Sequence, residues 1–363
     1  MPVLHPLRPT WLSLLGLGLS VVAGLRPAAA AAAGADIPWI THEAEAMRTT
    51  GVIVGPGYAP HTIETESSHQ TFVSLTKAGD HLEFDAGCDA QALVVRYSLP
   101  DAPEGGGTRG VLRLWIAGKP AADVAVSSRD AWLYGTYPFS DDPRVGKPRN
   151  FYDEARVGGL RISPGDVVRL ELISSAGPCA IDLVDLEEVP APREAPGAGL
   201  SVLQFGAAGD GSTDDTAALR AAVAVAHERR GTVWVPPGRY RITGDIEVPD
   251  HVTIQGAGMW HTTFVGDEAL YARADRRVRF RLKGRDIHLA DFAIVGALNY
   301  RDDQEPNDGI VGAGCAQSTV ARIWIEHTKV GVWIYNGADL RIEGCRFRNM
   351  LADGVNLCVG TTR

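Results

Sequence analysis

No uninterrupted block of lysine and arginine occurs in this sequence, and its net charge is −9. That balance argues against nucleic acid or an anionic membrane surface as partner, and it suits a neutral one such as a glycan. Cysteines are few, and no two of the five have the CxxC spacing of a zinc site. The odd count excludes complete pairing within the chain. Cys88 and Cys179 fall in one domain, where a bridge is open to them in an oxidising compartment; Cys345 and Cys358 read equally well as buried apolar residues of stacked coils. Beyond the first residues no segment is apolar enough to span a bilayer, and residues 36–188 carry no helical periodicity.

The N-terminus holds the one long apolar stretch. Arg8 precedes a run from Trp11 to Leu25, and an alanine tract at Ala28–Ala33 follows. A charged start, a short apolar core and small residues at the end make a secretory signal over residues 1–33, with export of the mature chain. An uncleaved anchor is the alternative, but the run is shorter than the roughly 20 residues a span needs.

The segment "VPAPREAPGAG" (189–199) is dense in Pro, Ala and Gly and reads as a linker or sharp junction. Before it, "ALVVRYSL", "GVLRLWIAG", "DVVRLELI" and similar short β-type runs alternate with turn residues, which predicts an antiparallel β-sandwich over 36–188. After it, an amphipathic helix is expected from an N-cap at Thr213 to about 228, with the stripe Leu219, Ala222, Val223 and Ala226 and a stop at Gly231.

Residues 200–363 then repeat. Gly309, Gly331 and Gly354 stand at steps of 331−309 = 22 and 354−331 = 23, and Ile323 and Cys345 keep the 22-residue step. A coil of that length cannot bury its own face and must stack on its neighbours. The fold class is therefore all-β, a sandwich followed by a right-handed parallel β-helix whose first coil the helix shields.

Candidate site residues follow from that phase. Asp353 precedes Gly354 where a coil turns; it is either a turn residue or a cleft acid. Asp308 stands in the same phase two coils earlier and is expected to be a plain loop acid of "RDDQEPNDG". Trp333 and Tyr335 share strand parity and thus one face, with Asn336, Asn356 and His327 near them; aromatics beside amides suit a sugar. In the sandwich Trp132, Tyr134, Tyr137, Phe139, Phe151 and Tyr152 cluster, as either an inter-domain contact or a sugar site. Glu43, Glu45 and Asp182 offer hard oxygens that fit calcium, with solvated surface acids as the alternative.

The words "AAGDGSTDDTAALRAAV…GTVWVPPGRYRIT" resemble the entry segment of the pectate-lyase-like β-helix superfamily. Together with "WITHEAEAMRTTG", "AWLYGTYPFSDDPRVGKPRNFYDEARV" and "WIEHTKVGVWIYNGADLRIEGCRFRNMLADGVNL", they resemble glycoside hydrolase family 87, the secreted α-1,3-glucanases and mycodextranases. The resemblance implies an inverting hydrolase that needs no cofactor for catalysis, acts on α-glucan and is monomeric. It gives Asp353, within "DGVN" (353–356), descent from one catalytic aspartate. The family's partner Asp-Asp pair would fall one coil later, at about position 376, past Arg363. Two rivals stand beside it. A polysaccharide lyase on the same fold would use cationic side chains such as Arg341, Arg346 and Arg348, and a non-catalytic fragment would only bind glycan.

Overall fold

The computed structural model describes residues 37–133 and 139–362. The expected signal segment and the aromatics Tyr134 and Tyr137 lie outside the described residues.

Two antiparallel sheets form the sandwich. One has the order Val52–Val54, Phe72–Leu75, Cys179–Glu187, Ala90–Ser98, Asp153–Ile162, with Trp39–Glu43 also paired to Cys179–Glu187. The other runs Arg48–Thr49, His81–Asp85, Val167–Ser175, Arg109–Ile116, Lys119–Ser127. Period-2 alternation explains the layering. In Arg109–Ile116 the side chains of Leu112 and Leu114 enter the core, while Arg113 points out to a bidentate pair with Asp123 at 2.7 and 2.9 Å. All five cysteines are free thiols. Cys179 is fully buried in the sandwich core, and burial pushes its thiol up to about 12.

The second half is a stack of parallel coils with two sheets. A five-stranded sheet, called the cleft sheet below, joins Asp245–Pro249, Arg279–Lys283, Gly309–Ala313, Val332–Tyr335 and Val355–Cys358. A ten-stranded sheet wraps the other sides, because His288–Val295 and Ala316–Glu326 run unbroken round a corner. Asp291 and Arg322 sit at that corner with left-handed φ of 65° and 52°. The guanidinium of Arg322 clamps Asp291 at 2.6 and 2.8 Å, joining the bends of successive coils. The register repeats the predicted steps: Ile310 lies beside Val332 and Val332 beside Val355. Inward residues form ladders, with Phe264, Phe280 and Phe292 in mutual ring contact at 5.0 to 5.6 Å.

Two expectations need correction. The helix runs Thr216–Arg229, not from Thr213. Asp210 holds Ser212 and Thr213 extended by accepting from both backbone N–H groups at 2.8 Å, so the turn of helix cannot begin there. The predicted stripe is buried, and Arg230 takes the left-handed C-cap just before Gly231. The segment 189–199 is held against the coils at Arg193. Arg193 donates its backbone N–H to Ala257 O at 2.8 Å, and its guanidinium lies 2.9 Å from Asp291. Asp308 is no solvated loop acid. It is fully buried, accepting from the Tyr271 hydroxyl and the Lys329 N–H, both at 2.6 Å.

Candidate active site

The outer face of the cleft sheet carries the site. Because Val332 and Ile334 point inward, Trp333 and Tyr335 must point out, and their rings meet edge-on at 6.0 Å. They floor a cleft of about 680 Å³. The loop before Gly309 and the turns before Val332 and Val355 bring Glu305, Lys329 and Asp353 to it. Asp353 sits at the turn leading into Val355–Cys358. Its backbone oxygen accepts from Gly331, which ties it to the coil beneath. Its carboxylate accepts from Asn356 Nδ2 at 3.1 Å. Asn356 lies in register beside Trp333, so acid, amide and indole come together. The Trp333 Nε1–H is buried without an acceptor.

Sequence reasoning overlooked the cationic side of this cleft. The alternation in "RFRLK" puts Arg279, Arg281 and Lys283 on the same outer face as the aromatics, two coils back. These charges are largely answered. Arg279 grips Asp245 at 2.7 and 2.8 Å, and Arg281 lies 3.2 Å from Asp245 and 3.4 Å from Glu247. The Lys329 ammonium is bonded to Glu305 O, and burial lowers its pKa.

His327 and Asn336 do not join this cleft. Asn336 takes a left-handed φ of 48° at the corner past Tyr335, where its N–H donates to Val359 O at 2.8 Å. His327 faces the sandwich instead, with Nε2 at 2.9 Å from Asp153 Oδ1. Burial alone would lower its pKa, but Asp153, by charge and hydrogen bond, and then Asp130 and Glu326 outweigh that and hold it at about 10. Asn349 Nδ2 donates to the same Asp153 oxygen at 2.5 Å.

This junction absorbs the late-coil arginines as well. Arg346 makes a two-pronged pair with Glu187 at 2.7 Å while lying between the rings of Trp39 and Trp324 at 4.6 and 4.9 Å. Arg348 donates to Glu154 at 2.9 Å; burial pushes Glu154 up to about 7 although Arg348 opposes it. Arg341 pairs with Glu343 at 2.6 Å. None of the three lines the cleft. Trp132 is buried in the coil core and Tyr152 is fully buried beneath Arg96 at 4.4 Å, so this part of the aromatic cluster is packing rather than a sugar platform.

In the sandwich, Glu43 and Glu45 do converge, but on His69 rather than Asp182; the ligand atoms of the three all lie within 4.8 Å. Glu43 Oε2 and Glu45 Oε2 are buried without hydrogen-bond partners. Asp182 is committed elsewhere, to Arg96 and to the Ser68 N–H at 2.8 Å. Burial pushes its carboxyl up to about 6 against the pull of Arg96. His69, set by a left-handed φ of 51°, gave no signal in the sequence.

The sandwich, residues 36–189, matches the model of the α-1,3-glucanase catalytic domain D1, and residues 199–275 match that of the rhamnogalacturonase A/epimerase, pectate lyase-like family. The catalytic unit of the thermostable GH87 α-1,3-glucanase of Streptomyces thermodiastaticus is 30% identical, with a TM-score of 0.75. The match covers 90% of this chain and 61% of that one. The catalytic domain of a GH87 α-1,3-glucanase in complex with nigerose shares the fold at 23% identity and a TM-score of 0.77, over 90% of this chain and 58% of its own. Alginate lyase 7 of Azotobacter vinelandii is 47% identical, but only over 70 residues, 17% of this chain and 8% of the lyase. The chain thus spans about three fifths of the solved relatives and less than a tenth of that curated one. The sandwich thus matches the α-1,3-glucanase D1 model, and nine tenths of the chain shares the fold of a GH87 catalytic unit.

Proposed function

We propose that the protein is an exported glycoside hydrolase that cleaves α-1,3-glucosidic bonds, in α-1,3-glucan or mixed α-1,3/α-1,4-glucan, with inversion at the anomeric carbon. The observation that carries this reading is Asp353 standing at the wall of a cleft floored by Trp333 and Tyr335. The rings offer flat apolar faces to pyranose units, while Asn356 supplies a polar amide for hydroxyls. Inversion needs a second carboxyl about 6.5–9.5 Å away, so that one protonates the leaving oxygen and the other activates water. Successive rungs of the cleft sheet are about 4.8 Å apart, and an acid one rung on with a lateral offset reaches that separation. In this reading Asp353 is one member of such a pair.

The test is hydrolysis by the full gene product on a panel of glucans, read by reducing ends, with product anomers followed by NMR. Asp353→Asn should lower kcat by about a thousandfold or more while leaving oligosaccharide affinity within about twofold. Release of unsaturated, ultraviolet-absorbing products from a uronan, with no α-glucan cut, would sink the proposal.

We further propose that Glu43 and Glu45 hold a structural calcium ion, their two unpartnered oxygens being the fitting donors. Catalysis does not pass through it. A chelator should lower the Tm of the wild type and leave a Glu43→Gln/Glu45→Gln variant unmoved; an unchanged wild-type Tm overturns the assignment.

A further inference from the structure

We infer that the glucan-binding groove does not end at the aromatic cleft but continues along the β-helix axis to a distal subsite beneath the helix Thr216–Arg229. The inference rests on the α-glucan reading above and extends it to chain length. A second hollow of about 660 Å³ lies between that helix and the first strand of the cleft sheet, and Lys283 lines both it and the aromatic cleft. The sheet register joins them. Outward residues run in one row Glu247, Arg281, Val311, Trp333, Asn356 and in a second row Pro249, Lys283, Ala313, Tyr335, Cys358. The middle of both rows is small, Val311 and Ala313, so the floor dips between the cationic rung and the aromatic rung. Four strand-to-strand steps of about 4.8 Å make a path of about 19 Å, long enough for several sugar rings laid end to end.

The distal hollow has the chemistry of a sugar-hydroxyl site. Lys283 is half-exposed and lies 4.0 Å from Glu247. His227 Nδ1 is 2.9 Å from Asp250 O. A carbonyl only accepts, so the ring donates from Nδ1 and its Nε2 is left as an acceptor. Ala224 and Pro249 supply apolar surface. Among the lining charges Arg220 and Lys283 face Glu228, Asp245 and Glu247. A hollow with no excess of cations favours a neutral polysaccharide over a uronan.

The experiment is calorimetric titration of the chain with α-1,3-linked gluco-oligosaccharides of increasing length, starting from the disaccharide. Affinity should climb with length until the groove is filled. His227→Ala/Glu247→Ala should erase about tenfold of that climb, or about 1.4 kcal/mol, while disaccharide affinity stays at the wild-type value. Ala224→Trp, which fills the same hollow from the exposed face of the helix, should do the same. A climb that survives both variants, or affinity that is flat from the disaccharide upward, overturns the distal subsite. Failure of any length to bind sinks the α-glucan reading and the groove with it.

Discussion

His327 is the most informative residue to perturb away from the cleft. It binds the coils to the sandwich through Asp153, which is 4% exposed and also accepts from Asn349 and from the Glu154 N–H. Asp130 stands close enough that one ligand atom from each of the three residues falls within 4.8 Å of the others. His327→Leu removes the imidazolium and leaves Asp153 with only amide donors, while Asp130 keeps Arg129 at 2.7 Å. Breaking a buried pair in this way typically costs about 3–5 kcal/mol. The pH dependence gives an independent figure. The folded-state value of about 10 lies above the ordinary 6.5, so the contribution is fully present below about 6.5 and lost as pH rises through about 10. At about 1.4 kcal/mol per pH unit, the interval corresponds to at most about 5 kcal/mol, the same range. Urea unfolding followed by tryptophan fluorescence at about pH 6 and about pH 10 checks both. The wild type should exceed His327→Leu by several kcal/mol at the lower pH and by little at the higher one. A gap of equal size at both, or an imidazole NMR titration centred near 6.5, would refute the reasoning.

Other outcomes follow from the same geometry. Trp333→Ala should weaken α-1,3-gluco-oligosaccharide binding by roughly tenfold, about 1.4 kcal/mol, with an unchanged unfolding midpoint, read by titration and urea melts. Phe280→Ala should cost about 3–5 kcal/mol by emptying one corner of the three-ring cluster, read by denaturant midpoint at constant m-value. Asp215→Ala should cost about 1–3 kcal/mol, because the backbone N–H groups of Ala208 and Gly209 would lose their shared carboxylate under the helix; amide exchange at those two positions should rise with it.

The coil architecture was legible because parallel stacking writes itself into spacing. Steps of 22 and 23 residues fix which side chains become neighbours, so Ile310, Val332 and Val355 had to align, and parity alone put Trp333 and Tyr335 on one face. Spacing carries no information about what lies across a corner. His327 shares a coil with Trp333, yet its left-handed φ of 55° turns it round the bend to the sandwich, and the partner that decides its state is 174 residues away. Asp182 failed for a related reason. Hard oxygens near one another in a sandwich suggest a cation, but a guanidinium from the neighbouring strand, Arg96, reaches Asp182 first and satisfies it. His69 takes its place through a backbone conformation that no residue type announces. The cations Arg279, Arg281 and Lys283 were readable in principle, since the alternation and the register were both at hand. No local motif marks them, because a motif belongs to one coil, whereas a polysaccharide lying along the axis would touch every rung. The cleft sheet makes that the general rule for this fold: one residue per coil, at a fixed phase, adds one contact to a chain-like substrate, and the informative unit is the outward row rather than the local motif.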